Sequence, residues 1–329
     1  MDAISYERAT DVGAAVAAAS QPGVVFIGGG TNLLDLMKGG VARPVKLVDI
    51  THISGMDRVS ALPDGGLRIG ALVRNSDAAN HAWVRERYPL LSQAFLAGAS
   101  AQLRNMATVG GNLMQRTRCY YFYDTAFVQC NKRNPGSGCA AIEGNNRIHA
   151  ILGASPQCIA TNPSDMSVAL AALDAVVRVT GPRGERAIPF ADFHRLAGDR
   201  PDLDTTLQQG ELITAVDLPP PLFAQHAHYL KVRDRASYAF ALVSVAAALQ
   251  MDGGTVKAAR VALGGVAHKP WRATATEQAL TGKPLSRDTL QGAAALAVRD
   301  AKAYRDNGFK IALAERAIVR AVEQAGGVA

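Results

Sequence analysis

Val24-Val25-Phe26-Ile27-Gly28-Gly29-Gly30-Thr31-Asn32-Leu33 is the stretch on which the fold turns. A short apolar run, Val24–Ile27, reads as a strand, and three glycines break it. Thr31 or Asn32 then stands where a cap would open a short helix over Leu33–Met37. Glycines let the main chain approach an anion closely and aim several N–H groups at it, which is the logic of a phosphate cradle. The dinucleotide fingerprint fails here: Gly28 and Gly30 supply its first two glycines, but Leu33 occupies the third position. Asp49, at the end of the next predicted strand, Val45–Ile50, therefore has no fingerprint to support it as a ribose-binding acid. With an Ala-rich helix over Asp11–Ala19 in front, the first forty-odd residues read as a βαβ unit.

The chain has 329 residues, 48% of them hydrophobic, 19% charged and 6% aromatic. That length suits two or three compact units, and the apolar fraction excludes a mainly disordered chain. No stretch approaches the ~18 apolar residues of a membrane span. Lys and Arg number 35 against 28 Asp and Glu, a net charge of +7. The basic residues are scattered rather than gathered into a stripe, so nucleic-acid binding is not expected. Phosphates of a ligand or an acidic partner account for the charge equally well. Near the N-terminus Asp2, Glu7 and Asp11 face only Arg8, so no export signal is expected, and the chain alone reads as cytoplasmic.

Further along, Val59–Leu62 and Leu67–Ile69 read as a strand pair turning at Pro63–Gly66, and a helical zone runs from Ser76 to about Leu96, broken at Tyr88-Pro89. Thr108-Val109-Gly110-Gly111-Asn112 is a second glycine loop, suited to the other side of a pyrophosphate or to a tight turn. From Met114 to Cys158 no period holds, and so long an irregular stretch is functional or held by something. Asp165–Ala172 reads as a helix and Ala175–Thr180 as a strand. Pro219-Pro220-Pro221 is the clearest linker. Strand-like segments at Tyr229–Arg233, Phe240–Met251 and Val256–Leu263 follow it, with two or three helices at the end. Lys231, Arg233 and Arg235 share one face if their segment is a strand.

All four cysteines, Cys119, Cys130, Cys139 and Cys158, fall in the irregular stretch, separated by 10, 8 and 18 residues. Disulfides do not suit a cytoplasmic chain, and a structural zinc site usually contains a close cysteine pair, which is absent. An iron–sulfur cluster needs four thiolates on backbone able to wrap it, without fixed spacing. His149 is a spare ligand candidate but reads as structural beside four thiols. No nucleophile-plus-base set is apparent, and no residue of this chain is assigned a catalytic role.

The segments Gly28–Leu33, Thr108–Asn112 and Asn162-Pro163-Ser164-Asp165-Met166, in that order, resemble the flavin-binding segments of the FAD subunits of molybdenum hydroxylases, the xanthine dehydrogenase and carbon monoxide dehydrogenase family. Pro270-x-Arg272-Ala273-x-x-x-Glu277-x-x-Leu280-x-Gly282 resembles the signature of that family's flavoprotein C-terminal domain. The resemblance implies an α+β protein: a two-subdomain FAD-binding (PCMH-type) fold over 1–221, divided near residue 55, then a C-terminal α+β domain over 222–329. By it, Phe26, Ile27, Gly28, Gly29, Gly30, Thr31, Asn32 and Leu33, with Thr108, Gly110, Gly111 and Asn112, hold the FAD pyrophosphate and its flanks. Asp165 accepts hydrogen bonds from the cofactor, Ile213 packs against it and Lys231 lies near its rings.

The insertion over 114–160 resembles the four-cysteine insertion that a minority of these subunits carry for an extra 4Fe-4S cluster, in periplasmic aldehyde oxidoreductases and in 4-hydroxybenzoyl-CoA reductase. Arg118-Cys119-Tyr120-Tyr121-Phe122 and the run from Cys139 to Ala150 resemble the aldehyde oxidoreductase form. The implied role is electron transfer within a heterotrimer. A molybdopterin-binding large subunit and a small 2Fe-2S subunit feed electrons to FAD, which hands them to an external acceptor. Relatives of that form are exported as folded complexes on a partner's signal, so the resemblance favours the periplasm over the cytoplasm. The alternatives are the FAD subunit of a different molybdenum hydroxylase, a stand-alone FAD reductase and a zinc-stabilised assembly module.

Overall fold

The structure, a computed structural model, describes residues 2–328. Its first unit is a parallel three-stranded sheet ordered β1-β3-β2, with β1 at Ser5–Arg8, β2 at Val24–Ile27 and β3 at Lys46–Asp49. Helix α1, Val12–Ala19, connects β1 to β2, and its first turn is capped by Asp11, whose Oδ1 accepts from the Ala14 N–H at 2.8 Å. Helix α2, Leu33–Lys38, follows the glycines. Neither Thr31 nor Asn32 caps it: Asn32 turns away, accepting from the Arg116 N–H at 2.9 Å and donating to the Tyr123 hydroxyl at 3.2 Å. Asp49 is equally occupied. It takes both the N–H and hydroxyl of Thr51, at 2.8 and 2.6 Å, and the Tyr6 hydroxyl, so it acts as a knot within the sheet.

The second unit is an antiparallel five-stranded sheet ordered β4-β5-β8-β6-β7. Its strands are β4 Val59–Ala61, β5 Leu67–Gly70, β6 Val176–Gly181, β7 Gly184–Pro189 and β8 Leu212–Leu218. Between β5 and β6 run helices α3 Asn75–Asn80, α4 Ala82–Arg87, α5 Pro89–Ala97, α6 Ala101–Arg104 and α7 Val109–Leu113. The irregular insertion follows with one short helix, α8 Tyr120–Tyr123, and then α9, Asp165–Ala172. Proline at the first position of α5 marks the expected break, and His81 adds another by ending α3 and capping α4. Helix α10, Phe190–Phe193, closes β7.

The third unit is an antiparallel sheet ordered β12-β11-β10-β9: β9 Ala227–Val232, β10 Val243–Asp252, β11 Thr255–Gly264 and β12 Trp271–Arg272. Helices α11 Thr274–Leu280, α12 Arg287–Ala297 and α13 Phe309–Gly326 follow. Helix α13 buries Ala314, Ala317, Ile318, Ala321, Val322 and Ala325, a helical-period stripe, and ends on left-handed Gly327 at φ +70°. Strand β10 shows why the third unit does not stand apart. Val243, Val245, Ala247 and Leu249 pack in the core beneath α12 and α13, while Ala246 and Ala248 alternate into the core of the preceding units. The small alanines let α5 and α9 approach the sheet closely.

The signature run after residue 270 closes this join. Arg272 donates to the Ala171 carbonyl at 2.7 Å and to Asp174 at 2.6 Å, both at the end of α9, and pairs with Glu277. Glu277 is buried and also accepts the Val261 N–H of β11 at 2.8 Å. Removing it takes one of the guanidinium's two carboxylates away and leaves the buried Val261 N–H unmet. Glu277→Ala should lose about 3 kcal/mol of stability in urea unfolding, and Glu277→Gln, which keeps an acceptor for Val261, clearly less.

Candidate functional site

The two glycine segments meet face to face, and they do different work. A Cβ on Gly29 would lie 1.9 Å from the Met106 carbonyl oxygen, and one on Gly28 would lie 3.1 Å from the Thr108 hydroxyl. Gly30 holds φ +70°. The main-chain N–H groups from Gly28 to Leu33 take part in none of the hydrogen bonds among the described residues, although this segment is half-buried. They form a row of donors available to an anion.

The second segment is not an open loop but Thr108 followed by the one-turn helix α7, and the donors from Val109 to Asn112 are spent. Val109 and Gly110 donate to the carbonyls of Val73 and Ala71, while Gly111 and Asn112 donate to the Thr108 hydroxyl and carbonyl. A Cβ on Gly110 would meet the Ala71 side chain at 3.0 Å. This segment contributes close packing and the Asn112 side chain, which receives the Ser164 hydroxyl at 2.8 Å. Of its main-chain donors, the Thr108 N–H alone takes part in none of the hydrogen bonds among the described residues.

Through Ser164 the glycine segments adjoin a cleft of about 400 Å³. Asn162, Ser164 and Asp165 line it on one side, Phe240, Ser244 and Gly264-Gly265 on the other, and Arg118 and Tyr120 reach in from the insertion. Asp165 sits in the first turn of α9 and is buried. Its two oxygens receive the Tyr229 hydroxyl at 2.7 Å and the Lys231 ammonium at 2.8 Å. Burial and the Asp165 charge push the Tyr229 phenol well above its ordinary pKa, so it stays a donor. Lys231 also donates to the Ala97 carbonyl at 3.0 Å. The expected basic face dissolves here, because β9 ends at Val232 and exposed Arg235 turns back on the Tyr238 carbonyl. Ile213 is buried in β8, beside Thr214, whose carbonyl accepts the Ala71 N–H under α7.

The structure brings all four cysteines around one small cavity, lined also by Phe122, Lys132 and Gln157. All four are free thiols, three of them buried. Cys130 and Cys139 face each other in an isolated antiparallel bridge. Burial pushes the Cys119 thiol up to about 12. Contact between Cys139 and Cys158 raises the latter and lowers the former. Such buried thiols release their protons when a cation takes the protons' place. Among the described residues no three His, Cys, Asp or Glu side chains are gathered to hold a single ion. His149 is buried with its Nε2 3.0 Å from Cys119 Sγ. Of the aromatic run, Phe122 is fully buried, whereas Tyr120 is exposed where it lines the cleft.

Beside this cavity lies a buried polar group that sequence reasoning missed. Lys132 donates to Asp204 at 2.5 Å and to the Pro201 carbonyl at 2.7 Å, and Arg116 pairs with Asp204 at 2.6 Å. Burial opposes the Asp204 charge, but Lys132, Arg116 and His268 prevail and hold its pKa at about 2. Burial pushes both His268 and His194 down to about 4; His194 Nε2 lies 3.0 Å from the Leu113 carbonyl at the end of α7. Lys132, Asp204 and His268 come from three distant segments that only the fold unites.

The observed residues fit FAD: the unspent donors suit a pyrophosphate, and a cleft with polar edges suits a flat ring. Comparison with known proteins agrees. Residues 2–221 match the family described as FAD binding domain in molybdopterin dehydrogenase, and residues 228–325 match the CO dehydrogenase flavoprotein C-terminal domain. The chain is 54% identical over 328 residues to the aldehyde oxidoreductase FAD-binding subunit PaoB of Escherichia coli K12, covering 99% of both chains. It is 28% identical to the glyceraldehyde dehydrogenase medium chain of Sulfolobus acidocaldarius, over 80% of this chain and 76% of that one. A carbon monoxide dehydrogenase structure from Hydrogenophaga pseudoflava superposes with a TM-score of 0.78 at 25% identity, covering 99% of this chain and 98% of that one.

Gly29→Ala should force the glycine segments apart and release FAD, measured as flavin retained after gel filtration. Gly292→Ala, in α12 with open space around it, should be neutral or slightly stabilising. The unfolded chain protonates histidines near pH 6.5 and the folded chain protonates His194 and His268 only near 4. The unfolded state therefore takes up protons first as pH falls. Stability should drop between those values by about 3 kcal/mol per ring, and His194→Gln should flatten the urea-unfolding profile across that window.

Proposed function

The chain belongs to the FAD-binding family of molybdopterin dehydrogenases, and from that premise we propose that it is the electron-transferring flavoprotein subunit of a molybdenum-dependent aldehyde oxidoreductase. The observation that carries the flavin role is the row of unspent N–H groups from Gly28 to Leu33 beside the cleft at Asp165. The aldehyde reading is supported by likeness to the E. coli subunit along the whole chain. Bound FAD supplies one- and two-electron chemistry, which joins one-electron donors to a two-electron acceptor.

This chain's residues bind and position. Phe26 to Leu33 receive the pyrophosphate, and Thr108, Gly110, Gly111 and Asn112 shape the floor on which the first segment rests. Asp165, held by Tyr229 and Lys231, fixes one edge of the cleft, and Ile213 packs beneath the α7 segment. Oxidation of the aldehyde falls to a molybdopterin-binding large subunit. A 2Fe-2S subunit relays the electrons, and an external acceptor removes them.

The four cysteines are proposed as ligands of a 4Fe-4S cluster. Four buried thiols around one cavity supply the donor set, and a cluster places each thiolate on its own iron, so no three need gather on one ion. Purified protein should bring down two unlike subunits. It should carry FAD, with iron and acid-labile sulfide beyond the 2Fe-2S content, and Cys130→Ser should bleach part of the visible spectrum. Zinc in place of the extra iron refutes the cluster, and a chain that purifies alone with FAD refutes the complex.

A further inference from the structure

Lys310, the second residue of α13, is fully buried, and none of its partners is an acid. Its ammonium donates to the carbonyls of His149 at 2.8 Å, Ile148 at 3.5 Å and Gly265. Among the described residues it forms no ion pair with a carboxylate, and the one charge that acts on it, Arg147, repels it. A buried cation without a counter-charge is costly. Burial and Arg147 push its pKa down to about 7, so something negative nearby is what would hold it charged.

Two of the three carbonyls it takes belong to residues of the cleft wall, and the third belongs to His149, whose ring touches Cys119. Ile148 and Gly265 both line the cleft at Asp165. Gly265 holds φ +72°, and a Cβ there would lie 2.8 Å from the carbonyls of Ala241 and Leu242, which also line the cleft. The ammonium thus sits directly behind the cleft wall. The other charges around the cleft are spent or wet: Asp165 pairs with Lys231, Asp234 with Arg147, Arg118 with Asp35, and Arg235 is exposed and screened by solvent.

We propose that Lys310 is a positioning residue for the reduced state of the flavin in this cleft: its buried, unpaired ammonium compensates the negative charge that the ring system gains on reduction. When FAD takes up two electrons and one proton, it gains one unit of negative charge. A cation fixed behind the wall stabilises that form over the oxidised one, and the three carbonyls hold the cation in place. This rests on the reading of the cleft as the flavin site.

The test uses the full chain with whatever subunits accompany it. FAD content is counted after release, and the flavin midpoint is followed by reductive titration at the flavin absorbance band. Lys310→Gln keeps donors for the carbonyls and removes the charge, whereas Lys310→Met removes both. Each should retain oxidised FAD, with the preference for reduced over oxidised FAD weakened by about tenfold, the scale of one unit charge acting through protein, and read as a lower midpoint. An unchanged midpoint in Lys310→Gln with full FAD overturns the proposal and leaves Lys310 as packing. If neither variant holds FAD, the unsubstituted protein decides: a midpoint above that of free FAD supports the proposal, and one at or below it overturns it. Unsubstituted protein without FAD refutes the flavin reading of the cleft, and the role of Lys310 with it.

Discussion

The carboxylate of Asp165 is the point on which the molecule closes. It projects from the first turn of α9, in the second unit, and receives Tyr229 and Lys231 from the first strand of the third. Lys231 also reaches the end of α5 through the Ala97 carbonyl. All three side chains are shielded from solvent, so each bond is made where an unmet partner would be expensive. The alternation of β10 between two cores extends the same join, and Arg272 ties the far end of α9 to the C-terminal helices. The cleft beside Asp165 therefore has walls from separate stretches of chain, yet those walls are fixed to each other by buried bonds rather than by a flexible linker.

Much of the regular structure was legible in the sequence, because patterning there and packing in the fold agree. Val24–Ile27 and Asp165–Ala172 occupy the strand and helix that their residues suggested, and the three C-terminal helices carry their expected stripes. The mismatches share a physical origin. Thr108–Asn112 reads as a turn because Gly-Gly-Asn favours one, but the Thr108 hydroxyl caps Gly111 and converts it to a helical turn. Asn32 gives up its capping role for the Arg116 N–H, which comes from a part of the chain that local reasoning does not see.

The candidate site was legible where its chemistry is carried by residue type. Glycines at close approaches and cysteines crowded into one insertion announce themselves. Lys310 does not. On the helix it is one more lysine beside Phe309, and only the fold reveals that it is buried against three carbonyls from two segments. The division of labour between the glycine segments was equally invisible. One keeps its N–H groups free and the other has spent its own from Val109 to Asn112, two of them on the carbonyls of Val73 and Ala71 that follow β5.

An insertion with so little regular structure has a problem that the rest of the chain solves. Its main-chain polar groups cannot satisfy one another through helix or sheet ladders, and many are buried. Side chains from the C-terminal domain take over. Asn307 donates to the carbonyls of His149 and Ala150, Asn146 and Asp306 exchange hydrogen bonds through each other's main-chain N–H groups, and Lys310 takes the carbonyls next to them. From the other side, Asn131 organises the turn around Cys130 and Cys139, receiving the Gly138 N–H and donating to Gln157 beside Cys158. The four thiols are thus aligned by residues up to position 310. The main chain at His149, whose ring touches Cys119, is held by donors that belong to the C-terminal domain rather than to the insertion itself.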